Sequence, residues 1–226
     1  MTKKEEWLAG TRSAVPIMLG YVPVGIAYGV MARQAGLNTW QTVLMSLTVY
    51  GGASEMMAAG MVAQGAAVLT IVLTTFILNL RHIIMSTCVF NQMQGGRLLV
   101  RMLAAFGVTD ETFAVYTTTA NAPRTPRYFF SMALCSYLSW ALGSWLGAIA
   151  TGLLPPLITA ALGISLYAMF IGLLMPGLHG NGRLAALVVL TALCNTVLCN
   201  VVQLDSGWSM ILSTLGCAAL DRKSVV

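Results

Sequence analysis

The stretch that decides the fold is TTFILNLRHIIMSTCVF, residues 74–90. Most of its side chains suit the interior of a lipid bilayer, yet Asn79, Arg81 and His82 fall near its middle. A charged side chain at the centre of a bilayer is unfavourable by about 2.5–3.5 kcal/mol even on insertion scales, so it needs to face protein or water. The stretch therefore predicts a membrane-embedded helix that presents polar side chains to the inside of a helical bundle.

The composition extends this prediction to the whole chain. Of 226 residues, 58% are hydrophobic and 8% are charged, whereas a soluble domain has about 25% charged residues. The mean hydropathy is +0.80. Continuous apolar runs of roughly 20 residues recur, which is the length that a helix needs to cross the hydrocarbon layer. Strands of a membrane β-barrel would be shorter and alternating. We therefore expect an all-α polytopic membrane protein.

Eight apolar runs define the embedded segments of a single integral membrane domain, residues 1–226. They are 13–33, 41–63, 66–91, 98–120, 128–152, 157–176, 184–203 and 207–220. Lysine and arginine collect on the cytosolic side of membranes. The charges obey this rule if all eight segments cross the membrane. They also obey it if the second and fourth segments enter the membrane and return to the same side. We therefore expect six to eight embedded helices with both termini in the cytosol.

The sequence argues against cofactor chemistry. All five cysteines lie within apolar runs, and none forms a C-x-x-C pair, so the sequence predicts neither a disulfide nor a metal site. No G-x-x-x-x-G-K motif for nucleotide phosphates occurs. The net charge of +5 is explained by cations at membrane edges and calls for no nucleic acid partner.

The second and fourth segments carry similar interruptions, YGGASEMM at 50–57 and FGVTDETF at 106–113. Glycine weakens a helix interior by about 1 kcal/mol relative to alanine, and a following Ser or Thr can cap a new helix. The sequence predicts that both helices break at the membrane midplane and start again near Ser54 and Thr109. In transporters such helix starts point their N–H groups at anionic substrate groups. A packed kink is the alternative.

The third segment places polar residues on one face. Thr75, Asn79, His82 and Ser86 are spaced four, three and four residues apart, and Arg81 lies about 100° round the helix from His82. These residues have structural alternatives. His82 would then bond a carbonyl group as a neutral side chain, and Asn79 would form a hydrogen bond between helices.

Arg81 needs a partner inside the bundle. The candidates are Glu55, Asp110 and Glu111. One cation facing three acids leaves a surplus of negative charge, so either one carboxylate is protonated or a further cation binds. We therefore hypothesise that transport is coupled to protons. Alternatively, Arg81 is a structural member of an ion pair that holds the helices together.

These arguments give a set of candidate substrate-binding and coupling residues. They are Gly51, Gly52, Ser54, Glu55, Asn79, Arg81, His82, Gly107, Thr109, Asp110 and Glu111. Arg81 and the helix starts are expected to bind the carboxylate of a substrate. Glu55 or Asp110 is expected to bind its amine or the coupling proton. The apolar side chains expected to contact the substrate are Tyr50, Met56 and Phe113.

Four motifs in the first half carry a family resemblance. GYVPVGIAYGVMARQAGL, YGGASEMM, LNLRHIIM and FGVTDETFAV, in this order, resemble the AzlC/YgaZ family over roughly residues 10–200. The resemblance implies the large subunit of a two-component exporter of branched-chain amino acids in the bacterial inner membrane. It also implies a small membrane subunit of the AzlD/YgaH type as partner. Glu55 stands where the family usually has glutamine, and an acid there favours a cationic group or a proton.

Two other functions are compatible with parts of the sequence. One is a non-transporting membrane scaffold, which explains the hydrophobicity but not the embedded charges. The other is an intramembrane serine hydrolase with Ser54 as nucleophile and His82 as base. The acid directly after Ser54 argues against the hydrolase, because it would repel the developing oxyanion.

A fluorophosphonate distinguishes the hydrolase from a transporter. We expect the wild-type protein to remain unlabelled, because the acid directly after Ser54 would repel the developing oxyanion. Intact-mass spectrometry after treatment measures the labelling. A mass increase that disappears in the Ser54→Ala variant would support the hydrolase.

Overall fold

A computed structural model describes residues 2–96, 98–119, 122–153 and 182–204, together with scattered positions between 155 and 178 and between 209 and 217. All regular elements in these ranges are α-helices, in agreement with the predicted all-α class. The predicted segments 157–176 and 207–220 lie largely outside the described residues.

Nine α-helices are assigned within the described residues. They are α1 (Lys3–Gln34), α2 (Thr39–Thr48), α3 (Gly52–Ala63), α4 (Val68–Asn79), α5 (Arg81–Gln92), α6 (Leu98–Phe106), α7 (Asp110–Thr118), α8 (Pro126–Ala150) and α9 (Gly182–Asn200). Those from α1 to α5 follow one another with short connections. Among the described residues, four helical stretches are long and apolar enough to cross a membrane. These are α1, α4 with α5, α8 and α9.

The long helices α1 and α8 form the centre of the bundle. Half of the most apolar part of each is buried, compared with 6% for α4 with α5. The shorter helices pack around this pair: α2 and α6 against α8, α3 against α1, and α7 against both. A hydrogen bond of 2.7 Å between the hydroxyls of Ser46 and Ser144 joins α2 to α8. The surfaces of α1 and α8 therefore position α2, α3, α6 and α7, and α7 in turn contacts α5.

Glycines allow α1 and α8 to approach backbone to backbone. A Cβ atom added to Gly29 would lie 2.3 Å from the carbonyl oxygen of Ser144. One added to Gly147 would lie 2.2 Å from the carbonyl oxygen of Ile26. Small residues at such crossings are the usual basis of helix packing in membranes, where apolar lipid gives little hydrophobic driving force.

The chain is non-helical between α2 and α3, at a joint that we call the first joint (residues 49–51). Tyr50 has a φ of 47°, in the left-handed region that a non-glycine residue rarely adopts. The sequence predicts a helix start near Ser54, but α3 begins at Gly52, with Gly51 as its N-cap. The reason is that the Ser54 hydroxyl donates to the Gly51 carbonyl oxygen at 2.9 Å, so it does not cap the helix by accepting an N–H.

A second joint (residues 107–109) separates α6 from α7. Thr109 is the N-cap of α7, and its hydroxyl accepts a hydrogen bond from the N–H of Thr112. Asp110 and Glu111 occupy the first turn, where carboxylates interact favourably with the positive end of the helix dipole. This helix start lies where the sequence predicts one.

The predicted third segment, 66–91, contains a tight turn. Helix α4 ends at Asn79 and α5 begins at Arg81, with Leu80 between them. Hydrogen bonds of the i to i+3 type tighten the chain here, from the N–H of Leu80 to the Ile77 carbonyl and from the N–H of Ile83 to the Leu80 carbonyl. Leu80 keeps helical dihedral angles, with a φ of −56° and a ψ of −29°, so Arg81 lies just after a tightened turn within one helical stretch, Val68–Gln92.

Replacing Gly147 by alanine tests the close approach of α1 and α8. We expect Gly147→Ala to lower the free energy of unfolding by about 1–3 kcal/mol, because the new methyl group overlaps the α1 backbone. Gly20→Ala is the control, since a Cβ atom at Gly20 meets nothing within 4 Å. Thermal unfolding in detergent, followed by tryptophan fluorescence, measures both. Equal midpoints for the two variants would contradict the packing.

Candidate functional site

A small polar cavity lies where the two joints meet α1, α5 and α8. Its volume is about 20 Å³, which suits one water molecule. Its walls are formed by Tyr21, Tyr50, Gly51, Gly52, Ala53, Arg81, His82, Thr109, Asp110, Glu111 and Trp140. The structure thus brings together seven of the eleven candidate residues from three separate segments of the chain.

Arg81 and Asp110 form an ion pair in the cavity wall. The Arg81 Nη2 atom lies 3.0 Å from the Asp110 Oδ2 atom. The side chains are 35% and 26% exposed, so the pair is only partly covered by the rest of the chain. Asp110 is the first residue of α7, and Arg81 directly follows the tightened turn at Leu80, so the ion pair joins the start of α7 to this turn. Of the three acids predicted as partners of Arg81, Asp110 makes this contact.

Glu111 is held by α1. The Tyr21 hydroxyl donates to the Glu111 Oε2 atom at 2.6 Å and lies 2.7 Å from the Thr109 hydroxyl. Tyr21 is 3% exposed, so these bonds form away from the surface. A tyrosine on a continuous helix therefore fixes both the cap and the first turn of α7.

Glu55 is completely buried and holds the first joint. Its Oε1 atom accepts the N–H of Gly51 at 2.9 Å, and its Oε2 atom accepts the indole N–H of Trp140 at 3.2 Å. Gly52 lies against the Trp140 ring, where an added Cβ atom would be 2.9 Å from Cη2. Glu55 is thus outside the cavity wall but directly bonded to two residues that form it.

Three further candidates lie near the cavity without lining it. Ser54 is buried, and its hydroxyl bonds the Gly51 carbonyl oxygen. The Oδ1 atom of Asn79 is buried near Gly51 and has no hydrogen-bond partner within the described part of the chain. Gly107 packs closely on α8, since a Cβ atom there would lie 2.5 Å from the Cβ atom of Ala133.

Tyr21 and Trp140 are absent from the site residues predicted from the sequence. Both lie within apolar runs, and each carries one polar atom that usually finds a hydrogen-bond partner when buried. That signal was available in the sequence. The partners were not, because they are 90 and 85 residues away along the chain.

The cavity combines a guanidinium group, carboxylates and the starts of α3 and α7. A zwitterionic ligand suits this set, because it carries one group of each charge. A cavity of about 20 Å³ is much smaller than the usual 300–1,000 Å³ of a ligand pocket. A ligand larger than water therefore requires the surrounding joints to move.

Comparison with known proteins identifies relatives. Residues 16–154, which include the whole cavity wall, match the family model described as AzlC protein. An uncharacterized membrane protein of Archaeoglobus fulgidus is 33% identical over 82% of this chain and 82% of its own length. The inner membrane protein YgaZ of Escherichia coli is 30% identical over 75% of this chain and 72% of its own length.

A branched-chain amino acid transport protein, AzlC of Bacillus subtilis, is 27% identical over 66% of this chain and 61% of its own length. No solved structure matches the chain.

A double-mutant cycle tests the ion pair. We expect Arg81→Gln and Asp110→Asn each to lower the free energy of unfolding, because each leaves one charge without its partner. The double variant should recover part of the loss, with a coupling energy of about 0.5–3 kcal/mol. Thermal unfolding in detergent is the measurement.

The matched control is the ion pair of Arg127 with Glu6, where the arginine side chain is 53% exposed and the closest charged atoms are 3.6 Å apart. The Glu6 side chain is 14% exposed, so this pair differs from that of Arg81 and Asp110 in its longer separation and its more exposed guanidinium group. Its Gln variants should show a smaller coupling energy, because both differences weaken the attraction. A coupling near zero for Arg81 and Asp110 would show that the two side chains do not interact.

Proposed function

The chain belongs to the AzlC family, and we propose that it is a secondary transporter that exports branched-chain or similar small apolar amino acids. The observation that carries the proposal is the polar cavity itself. It places Arg81, Asp110 and Glu111 between two joints of an apolar helical bundle. The name of the Bacillus subtilis relative supplies the class of substrate.

We propose that the protein is multi-pass and lies in the bacterial inner membrane with both termini in the cytosol. The bundle would contain six to eight embedded helices, and the two joints would interrupt it near the membrane midplane. The distribution of lysine and arginine along the sequence supports the orientation. Non-helical backbone at this depth is tolerated where it lines a cavity, which is where both joints lie.

We propose that Arg81 changes its ion-pair partner when the substrate binds. The carboxylate of the amino acid would replace Asp110 at the guanidinium group, and the released Asp110 would then face the substrate ammonium group. This exchange keeps each charge paired, which matters because unpaired charges are unfavourable in a low-dielectric site. The N–H groups at the start of α7 would also favour the substrate carboxylate.

Glu55 is proposed as the coupling group for protons. A neutral carboxyl group is a weaker acceptor than a carboxylate, so protonation would weaken the bonds from Gly51 and Trp140. Weakening them would release the first joint from α8. The arrival of a proton and the movement of a cavity wall would thereby be linked.

A small membrane subunit of the AzlD/YgaH type is proposed as the partner. The exchange of ions and the movement of joints described above involve residues of this chain alone. We therefore propose that the substrate site lies in this chain. The partner would serve assembly or would complete the path of the substrate across the membrane.

Transport by the purified protein tests the proposal. We expect proteoliposomes loaded with leucine, isoleucine or valine to release them faster when the protein is present, and faster still with a pH gradient. Glu55→Gln should lose most of the response to the gradient, because glutamine cannot carry the proton. The assay is run with and without the small subunit. The control is Glu5→Gln, which changes an exposed acid that glutamine replaces well in a capping box.

The variants also separate the alternatives. The double variant Arg81→Gln with Asp110→Asn should remain inactive even though it recovers stability, because the substrate has lost its guanidinium partner. Activity equal to wild type in this variant would make the ion pair purely structural. Unchanged flux in both Arg81→Ala and Glu55→Gln, observed with the small subunit present, would assign transport to the partner and leave this chain as a scaffold.

A further inference from the structure

We propose that the aliphatic side chain of the substrate binds in an apolar groove between α6 and α8, on the far side of an aromatic wall from the polar cavity. The wall consists of Tyr50, Phe106 and Tyr137. This inference rests on the proposed transport of amino acids and adds the subsite that selects the side chain.

The groove has the size and the chemistry for an aliphatic side chain. Its volume is about 240 Å³, compared with about 20 Å³ for the polar cavity. Aliphatic and aromatic side chains form most of its lining, including Leu103, Phe130 and Leu134. Apolar cavities stay dry and bind apolar ligands, and one of about 150 Å³ is enough for benzene. The polar cavity alone has no space for such a side chain.

The aromatic wall is shared by the two spaces. Tyr50 lines the polar cavity, whereas Phe106 and Tyr137 line the groove. The Tyr50 ring centre lies 4.9 Å from that of Tyr137 and 5.9 Å from that of Phe106, and the last two are 5.7 Å apart. This layer of rings separates the two spaces, and displacement of the Tyr50 ring would join them for the side chain of an amino acid whose charged groups are held in the cavity.

Two of the three wall residues lie at or next to the joints. Tyr50 belongs to the first joint and has an unfavourable backbone conformation, with a φ of 47°. Phe106 is the last residue of α6, next to the second joint. Tyr137 belongs to the continuous helix α8, and its hydroxyl donates to the Leu47 carbonyl oxygen at 2.8 Å. A change of backbone conformation at Tyr50 would relieve this strain and move its ring, so opening the wall and moving the first joint are one event.

A lipid acyl chain is the competing occupant, because the groove is open to one side. Leu103 and Phe106 are 56% and 49% exposed. The position of the groove favours the substrate, because the Tyr50 ring of the polar cavity packs directly on Phe106 and Tyr137 of the groove. The two occupants predict different dependence on the size of the amino acid, which is the basis of the test.

A tryptophan at Leu103 fills the groove and tests the subsite. In proteoliposomes, we expect Leu103→Trp to lower the ratio of leucine flux to alanine flux by about tenfold or more, because a pocket that excludes even one methylene group discriminates on this scale. The control is Leu99→Trp on the same helix, at a position that is 67% exposed and outside the groove lining. It should leave the ratio unchanged. Retained alanine flux shows that each variant is folded.

A second variant enlarges the groove and does not depend on the first. Leu134→Ala should raise the flux of methionine or phenylalanine relative to valine. An equal reduction of leucine and alanine flux in Leu103→Trp, or an unchanged order of substrates in Leu134→Ala, would overturn the subsite and favour a lipid. These outcomes leave the proposed transport intact if the wild-type protein moves leucine. Absence of amino acid flux in the wild type, with the small subunit present, would overturn both.

Discussion

The ion pair between Arg81 and Asp110 is the interaction on which the arrangement of the cavity depends. Both residues lie in apolar stretches, where an unpaired charge is strongly unfavourable. The chain meets this constraint by placing Asp110 at the start of α7 and Arg81 just after the tightened turn at Leu80, where the two side chains meet. Because the pair is still partly exposed, its charges remain accessible to a ligand that brings charges of its own.

Two further acids connect the joints to the continuous helices. Tyr21 of α1 donates to Glu111 at the start of α7, and Trp140 of α8 donates to Glu55 near the start of α3. In each case a neutral donor on a long helix holds a carboxylate on a short one. A change in the charge of either carboxylate would therefore alter hydrogen bonds that hold the backbone of a joint. Coupling between ions and alternating access requires a link of this kind.

The close contact of α1 with α8 gives these joints a common support. Gly29 and Gly147 bring the two backbones together, so the side chains that face the joints come from a single packed pair of helices. Tyr50 lines the polar cavity, and its ring packs on Phe106 and Tyr137, which line the apolar groove. In the proposed mechanism, this layer of rings lies between the groups that bind the charges of the substrate and the groove that selects its side chain.

By itself the sequence determined the membrane class, the family resemblance and the start of α7, because hydrophobic runs and a cap such as Thr109 act over a few residues. It also identified Arg81 as a residue that needs an acidic partner. The tertiary structure decided which acid that is, moved the start of α3 to Gly52, and revealed Tyr21 and Trp140 as hydrogen-bond donors. These outcomes depend on how α1 and α8 pack against the joints, and no local pattern encodes contacts between residues that lie 29 to 90 positions apart.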